Sequence, residues 1–194
     1  KISSSNILKK LNLVKNNYFL VSSHREENLD NEKNFEQFAN VLFAIEKKYD
    51  IAVIVSAHPR LRKKIENSKS FAKNNIIFCK PFSFSEYINL MINSKCVLSD
   101  SGTITEEASI LNINAINIRD AHERPEGSEE AVCISTGINV DRILNAIECI
   151  DTNFANKKNN IVKDYDVSNV SQIILRTIIS YISHVNRYSW RKEL

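Results

Sequence analysis

The chain has 194 residues, of which 43% are hydrophobic and 25% charged, and this composition excludes a disordered or fibrous protein and favours one well-buried domain. The net charge of +3 comes from basic residues mixed with acidic ones, whereas nucleic-acid binders usually gather basic residues on one face. With no apolar run near the ~20 residues that cross a bilayer and no signal-like N-terminal segment, we expect a cytoplasmic protein that binds neither membrane nor nucleic acid.

Short apolar runs alternate with longer amphipathic ones, a pattern typical of repeated β–α units and a parallel sheet. The first predicted strand, Tyr18 to Ser22, is followed by a polar loop and by a helix from about Asn34 to Tyr49, in which apolar residues recur at helical spacing. The second strand, Ile51 to Ser56, precedes a helix that begins near Pro59, because proline is well tolerated in the first turn.

The third predicted strand, Asn75 to Cys79, leads into a helix from about Ser83 to Asn93, with Ser83 or Ser85 as its N-cap. The fourth strand, Cys96 to Leu98, ends in a glycine turn, and a helix follows from Thr103 to Leu111. These segments continue the alternation of strand and helix, so the sheet is expected to remain parallel.

The fifth predicted strand is Ala115 to Ile118, and the sixth, Ala131 to Ser135, precedes a helix from about Val140 to Ile150 with Asn139 as N-cap. Six strands separated by helix-length segments predict an α/β fold: a Rossmann-like parallel sheet with helices on both faces. We assign residues 1–150 to this Rossmann-like domain, a fold that commonly binds nucleotides.

The last part of the chain differs from the rest in its pattern. Residues 151–166 are polar and lysine-rich, which is typical of an exposed loop or linker. Residues 167–194 return to helical periodicity from Val167 to Trp190, with an unusually broad apolar face. Such a face requires something to cover it.

A candidate phosphate site follows the fourth strand. Ser101, Gly102 and Thr103 form a turn at the start of a helix, where backbone N–H groups lack partners within the helix and the helix dipole favours an anion. Glu106 and Glu107 lie one turn further on, where one of them can accept hydrogen bonds from ribose hydroxyls. This spacing suits a nucleotide, although a simple N-cap turn with acids near the dipole has the same sequence.

Polar motifs also follow the other strands, as expected for a site at the carboxyl edge of the sheet. His24 follows the first strand, His58 the second, Tyr87 lies in the helix after the third, and Arg119 to Arg124 follow the fifth. A histidine at a strand end can bind phosphate as a cation or transfer a proton near neutral pH. Tyr87 can equally be a core residue, and Arg124 can equally form a surface ion pair.

Three of these motifs, in order, resemble the signatures of the non-hydrolysing UDP-N-acetylglucosamine 2-epimerases. They are Val21-Ser22-Ser23-His24-Arg25-Glu26-Glu27-Asn28; His58; and Asp100-Ser101-Gly102-Thr103-Ile104-Thr105-Glu106-Glu107 with Arg119-Asp120 and Glu123-Arg124-Pro125-Glu126. The family's enzymes are about twice as long, so the chain is similar to the C-terminal half of their two-domain, GT-B-type fold. The resemblance implies that the last helix crosses back onto the N-terminal half.

The resemblance also implies a site and a reaction. His24 would be catalytic, and UDP would bind to Tyr87, Ser101, Gly102, Thr103, Glu107 and Arg124, with Arg25, Glu26, His58, Arg119 and Glu123 as further candidates. The family inverts C2 of a UDP-sugar by eliminating UDP and adding it back. Its proton-transfer carboxylates lie in the N-terminal half, so the chain alone is expected to bind UDP-sugar without turnover, and the full-length protein is expected to be a homodimer.

Departures from the common signature bear on the substrate. Gly102-Thr103-Ile104-Thr105 stands where Gly-Gly-Ile-Gln is usual, and Ala121-His122 precedes the Glu-Arg-Pro-Glu segment. This variant, with the closing Val185-Asn186-Arg187-Tyr188-Ser189-Trp190, resembles the branch that acts on 6-deoxy UDP-sugars and forms UDP-N-acetyl-L-fucosamine for surface polysaccharide. UDP-N-acetylmannosamine is the other candidate product.

Cofactors and competing functions complete the expectations. The four histidines and four cysteines are scattered, with no C-x-x-C pair and no G-x-G-x-x-G fingerprint, so we expect buried free thiols, no metal and no nicotinamide cofactor. A glycosyltransferase of the same two-domain architecture and a non-catalytic nucleotide-sugar-binding module remain the alternative functions.

Overall fold

A computed structural model of the chain describes residues 2, 5–23, 32–57, 75–119, 124–130, 132–153 and 161–192. The chain divides into two compact units, Lys1–Val162 and Lys163–Leu194. Within the described ranges, no helix combines the length and the apolar character that a membrane crossing requires.

The first unit alternates strands and helices. Its strands are β1 (Tyr18–Ser23), β2 (Ala52–Ala57), β3 (Ile76–Cys79), β4 (Cys96–Ser99), β5 (Ala115–Asn117) and β6 (Cys133–Ser135). Its helices are α1 (Ile7–Lys10), α2 (Glu32–Tyr49), α3 (Phe84–Asn93), α4 (Ile104–Leu111), α5 (Pro125–Glu129) and α6 (Val140–Asn153).

The strands form one six-stranded sheet in the order β3-β2-β1-β4-β5-β6, and every neighbouring pair is parallel. The sheet extends on one side of β1 through β2 to β3 and on the other side through β4 and β5 to β6. The predicted α/β class with a parallel, Rossmann-like sheet is therefore confirmed. All six residues of β1 are buried, as expected for the central strand of a sheet that is covered on both faces.

Each face of the sheet is covered by helices. On one face, Phe19 and Val21 of β1 belong to the same buried cluster as Leu42 of α2 and Ile147 of α6. Alternation along the strand sends Tyr18 to the opposite face, where its hydroxyl donates a 2.6 Å hydrogen bond to the Leu90 carbonyl in α3. The apolar residues of α2, which recur at helical spacing, therefore form a stripe that faces the core.

The ends of the helices follow from local side chains. At the start of α3, the N–H and hydroxyl of Ser83 both donate to the Glu86 carboxylate, at 3.2 and 2.7 Å. At the start of α6, Asn139 Oδ1 accepts from the Arg142 N–H at 3.0 Å. Ser83 and Asn139 are therefore confirmed as N-caps. Helix α4 ends at Asn112, whose φ of 50° is the left-handed conformation that asparagine tolerates.

Several local expectations need correction. Helix α5 was not predicted between the fifth and sixth strands, and Pro125 at its first position favours this short helix. Helix α6 continues to Asn153, into the stretch expected to be an exposed loop. In the same stretch Val162 is buried, and its N–H donates to Ser109 Oγ at 2.9 Å, so Val162 is anchored to α4 instead of being exposed. The helix expected near Pro59 lies outside the described residues.

The cysteines are free thiols in two kinds of environment. Cys96 and Cys133 are buried in strands, whereas Cys79 and Cys149 are only partly buried. The expectation of a buried environment holds for the first two.

The second unit is a terminal helical segment. A 3₁₀ turn (Lys163–Tyr165) precedes α7 (Val170–His184), which continues as a π-helix (Val185–Ser189). The apolar side chains of this segment are exposed: Val167, Val170, Ile173, Ile174, Leu175, Ile178, Ile179, Tyr181, Ile182, Tyr188 and Trp190.

Candidate ligand-binding site

The carboxyl ends of β1 and β4 meet where the strand order of the sheet changes direction. In open α/β sheets such a switch point leaves a crevice outside the strand ends, and ligands bind there. Ser23, at the end of β1, donates a 2.8 Å hydrogen bond to Oδ2 of Asp100, directly after β4. Both residues are buried, so this bond holds the two strand ends together.

A pocket with a volume of about 350 Å³ lies beside these strand ends. Its described lining residues are Ser22, Ser56, Pro81, Phe82, Phe84, Tyr87, Ser101 and Glu107. The serines and Glu107 supply hydrogen-bonding groups, while the proline and the aromatic rings supply apolar surface. Phe84 is 77% exposed, so its ring is open to contact with a ligand. Apolar surface with a few convergent polar groups is typical of small-molecule sites.

The turn before α4 is ordered by its own hydroxyl groups. The Ser101 N–H donates to Ser99 Oγ at 3.1 Å, and the Thr103 N–H donates to Ser101 Oγ at 3.3 Å. The side-chain oxygens of Ser101 and Thr103 are 3.0 Å apart. Two backbone donors that were expected to be open to an anion are therefore used within the turn. A phosphate at this turn would have to replace serine oxygens as their acceptor.

Glu107 extends this arrangement into the pocket. Thr103 Oγ1 donates a 2.9 Å hydrogen bond to Glu107 Oε1. Burial raises the pKa of Glu107, the Thr103 hydrogen bond lowers it, and the neighbouring carboxylate of Glu106 raises it. The net effect is a raised pKa, so the Glu107 carboxyl ionises less readily in the site than it would in water.

Glu106 has a different role from Glu107, although the two are adjacent in α4. Its Oε1 accepts a 2.7 Å hydrogen bond from Nε of Arg124, which stands directly before α5. Its Oε2 is buried and accepts no hydrogen bond from the described residues. The ion pair considered as the alternative for Arg124 is thus present. It holds the guanidinium beside α4, and a contact between Arg124 and phosphate stays a prediction.

Tyr87 lies between the pocket and the strand ends. Its pKa is raised to about 12, chiefly by burial, while its hydrogen bond with the Ser22 side chain lowers it and the carboxylates of Glu107 and Asp100 raise it further. The hydroxyl also hydrogen-bonds the Ser99 side chain. Tyr87 is therefore both a pocket-lining residue and a link to β1 and β4, which combines the two alternatives that its sequence position left open.

The predicted site residues fall into three groups. Tyr87, Ser101 and Glu107 come together in the pocket, with Gly102 and Thr103 in the adjoining turn. Arg119, whose N–H donates to Asn117 Oδ1 at 3.0 Å, and Arg124 are not among the described lining residues. His24, Arg25, Glu26, His58 and Glu123 lie outside the described residues, and their roles stay predictions.

Sequence reasoning missed other residues of the pocket. Ser56, Pro81, Phe82 and Phe84 were not predicted as site residues, although all four line it. A signal was present: Pro81, Phe82 and Phe84 occupy the segment between the end of β3 and the first residue of α3, where ligands of open sheets are found.

The fold and this pocket define a Rossmann-like α/β domain with a candidate ligand site at its topological switch point. The family model of UDP-N-acetylglucosamine 2-epimerase matches residues 1–179. The chain belongs to this family, and the family resemblance seen in the sequence is confirmed.

Individual relatives agree with this assignment. The structure of UDP-N-acetylglucosamine 2-epimerase from Rickettsia bellii has a TM-score of 0.86 at 43% identity, covering 98% of this chain and 52% of that one. The Methanocaldococcus jannaschii enzyme in complex with UDP-GlcNAc and UDP has a TM-score of 0.77 at 31% identity, covering 92% and 50%. The M. jannaschii sequence is 33% identical over 173 residues, 87% of this chain and 46% of its own length. The chain spans about half the length of these relatives and matches their C-terminal half.

Proposed function

We propose that this chain is the UDP-binding C-terminal part of a UDP-N-acetylhexosamine 2-epimerase. The observation that carries the proposal is the pocket, in which a carboxylate, a serine turn and an aromatic wall converge at the switch point of the sheet. Family membership supports the same assignment, and the M. jannaschii relative has been solved with UDP-GlcNAc and UDP.

The lining of the pocket suggests how UDP would bind. The rings of Phe82, Phe84 and Tyr87 offer apolar surface for the uracil. The Glu107 carboxylate would accept hydrogen bonds from the ribose hydroxyls, because an ionised carboxylate is a strong acceptor. The Ser101–Thr103 turn and the start of α4 would receive the diphosphate. His24 and Arg124 would add positive charge near the phosphates.

The proposed reaction inverts the sugar at C2. A base removes the C2 proton, the C–H electron pair forms a C1–C2 double bond, and the C1–O bond to UDP breaks. UDP then adds back to C1 while a proton reaches C2 on the opposite face. The residues of this chain would hold UDP during both steps, with His24 near the leaving diphosphate. The acid and base would come from the N-terminal half of the full-length protein, and the reaction would require neither metal nor nicotinamide.

The substrate is the finer part of the proposal. The names of the relatives favour UDP-N-acetylglucosamine, with UDP-N-acetylmannosamine as the product. Thr103 and Thr105, in place of the glycine and glutamine of the common signature, favour the branch that acts on 6-deoxy UDP-sugars and forms UDP-N-acetyl-L-fucosamine. Either product would serve surface polysaccharide synthesis in the cytoplasm. Assay of the full-length protein on both substrates distinguishes them.

We propose that α7 docks on the N-terminal half of the same protein. The chain spans about half the length of its relatives, and the apolar side chains of α7 are exposed. Exposed apolar surface of this extent promotes association, so the isolated chain is expected to self-associate. Replacing Ile174 and Ile178 by lysine should shift it towards monomer in analytical ultracentrifugation, whereas Gln172→Lys in the same helix should not. Equal self-association of all three proteins would contradict the proposal.

Two measurements test the function as a whole. Calorimetry should show that the 194-residue chain binds UDP. Incorporation of deuterium from D₂O at C2 should require the full-length protein, because elimination and re-addition exchange that hydrogen with solvent. Chelation of metals should leave the exchange intact. If the chain does not bind UDP, the proposed site is wrong, and if it catalyses exchange alone, the acid and base have been placed in the wrong half.

A further inference from the structure

The hydroxyl groups of the turn before α4 form a chain that ends on Glu107. An ionised carboxylate can only accept, so the hydrogen of Thr103 Oγ1 points to Glu107 Oε1 across 2.9 Å. The Ser101 hydroxyl must then donate to Thr103 Oγ1 across their 3.0 Å separation. Thr103 is the N-cap position of α4, yet its side chain makes no capping hydrogen bond. Its hydroxyl serves Glu107 instead of the helix.

The surroundings of Glu107 make this bond important. Among the described groups, Glu106 on the same helix and the Tyr87 hydroxyl from α3 face it, and Asp100 after β4 acts on the same Tyr87. The nearby cation Arg124 is paired with Glu106. Burial and Glu106 raise the pKa of Glu107, while Thr103 lowers it. The Thr103 hydroxyl therefore opposes the groups that favour protonation.

We propose that Thr103 is a positioning residue for Glu107, holding its carboxylate in one orientation at the pocket and in the ionised form that ribose hydroxyls require. This inference rests on the proposed UDP-binding function, which it deepens. In the family signature glycine stands at this position, and glycine has no hydroxyl. Thr103 therefore departs from the common signature of the family.

The pH dependence of binding follows from the chemistry. As the pH falls through the pKa of Glu107, the carboxylate gains a proton and one oxygen ceases to be a pure acceptor, so UDP affinity falls. Without the Thr103 hydroxyl the pKa of Glu107 rises further, and the loss of affinity should begin at a higher pH. A residue that only maintained the fold would lower affinity at every pH without moving this midpoint.

The test is calorimetric UDP binding to the 194-residue chain between about pH 4, near the ordinary glutamate pKa, and about pH 8. Thr103→Val, which keeps the shape but removes the hydroxyl, should weaken binding about fivefold at neutral pH, as expected for the loss of one partly exposed hydrogen bond. Its midpoint should move to higher pH. Thr103→Ser keeps the hydroxyl and should retain wild-type affinity and midpoint. Glu107→Gln is the control, because it has no titratable group at this position. The pH dependence of its UDP binding reports the titration of the ligand's own phosphate.

Each outcome is informative. If Thr103→Val binds with wild-type affinity and midpoint while Glu107→Ala binds weakly, the inference fails and the proposed function stands. If Glu107→Ala retains wild-type affinity, the ribose role of Glu107 fails and the inference fails with it. Should Thr103→Val not fold, Thr103→Gly provides the second hydroxyl-free variant. A serine variant that behaved like the valine or glycine variant would also overturn the proposal.

Discussion

Helices α2 and α7 have similar amphipathic patterns but opposite environments. In α2 the apolar stripe is buried in the core, and Leu42 is 0% exposed. In α7 the apolar residues are exposed, and Leu175 is 58% exposed. The period of apolar residues therefore determines that a helix forms and which face is apolar, whereas the burial of that face depends on a partner that the period does not specify.

The largest expected effect comes from removing the same side chain from the two helices. Leu42→Ala should destabilise the chain by about 2–5 kcal/mol, because it leaves a cavity in the core. Leu175→Ala should change stability by less than about 0.5 kcal/mol, because an exposed side chain loses few contacts. Urea unfolding of both variants measures the difference. Equal destabilisation would mean that α7 is covered within the chain.

The comparison extends to α4, whose Ile104 and Ala108 are buried while Glu106 and Glu107 occupy its polar side. Glu107→Ala should weaken UDP binding by about 1–3 kcal/mol, because the ribose hydroxyls lose a charged acceptor. Calorimetry at neutral pH measures this change. Glu129→Ala, in α5, is the matched control and should bind UDP like wild type. An unchanged affinity for Glu107→Ala would remove Glu107 from the site.

A smaller effect is expected from the neighbouring carboxylate in α4. Glu106→Gln should reduce stability by about 0.2–1 kcal/mol, because its ion pair with Arg124 is partly exposed and solvent screens it. Thermal unfolding measures the change, and Arg124→Gln is its partner variant. If the double variant loses as much free energy of unfolding as the two single variants together, the ion pair contributes nothing to stability.

The smallest expected effect concerns the stability of the unliganded chain as a function of pH. The pKa of Glu107 is raised in the fold, so the ionised form is disfavoured there, and stability decreases as pH rises through the interval between the unfolded and folded pKa values. The side chain of Glu107→Gln cannot ionise, so this variant should have a higher free energy of unfolding than wild type at about pH 7. The gain over wild type should be smaller at about pH 4. Urea unfolding at both pH values provides the comparison. A gain that was the same at both would show that ionisation is not its cause.

Much of the fold could be predicted because it depends on local pattern. Buried strands contain continuous apolar runs, such as Tyr18 to Val21 in β1, and N-caps such as Ser83 and Asn139 act within three residues of their partners. Helix α5 was missed because five residues are too few to show a period.

The site was less predictable because side-chain partners depend on tertiary position. The sequence placed Glu106 and Glu107 together, but it did not show that one pairs with Arg124, 18 residues away, and the other with Thr103. Nor did it show that Ser23 would reach Asp100, 77 residues away. Such pairs form only when the sheet brings strand ends together.

Ser22 at the end of β1 forms the floor of the pocket. Because β1 is fully buried and the Ser23–Asp100 bond ties it to β4, this floor lies in the part of the sheet best protected from solvent. Backbone amides of a central strand exchange with solvent mainly through global unfolding, so those of β1 should be among the last to exchange. A ligand would then meet a floor that is already rigid, and the entropy lost on binding would come mainly from the rim, where Phe84 projects into solvent.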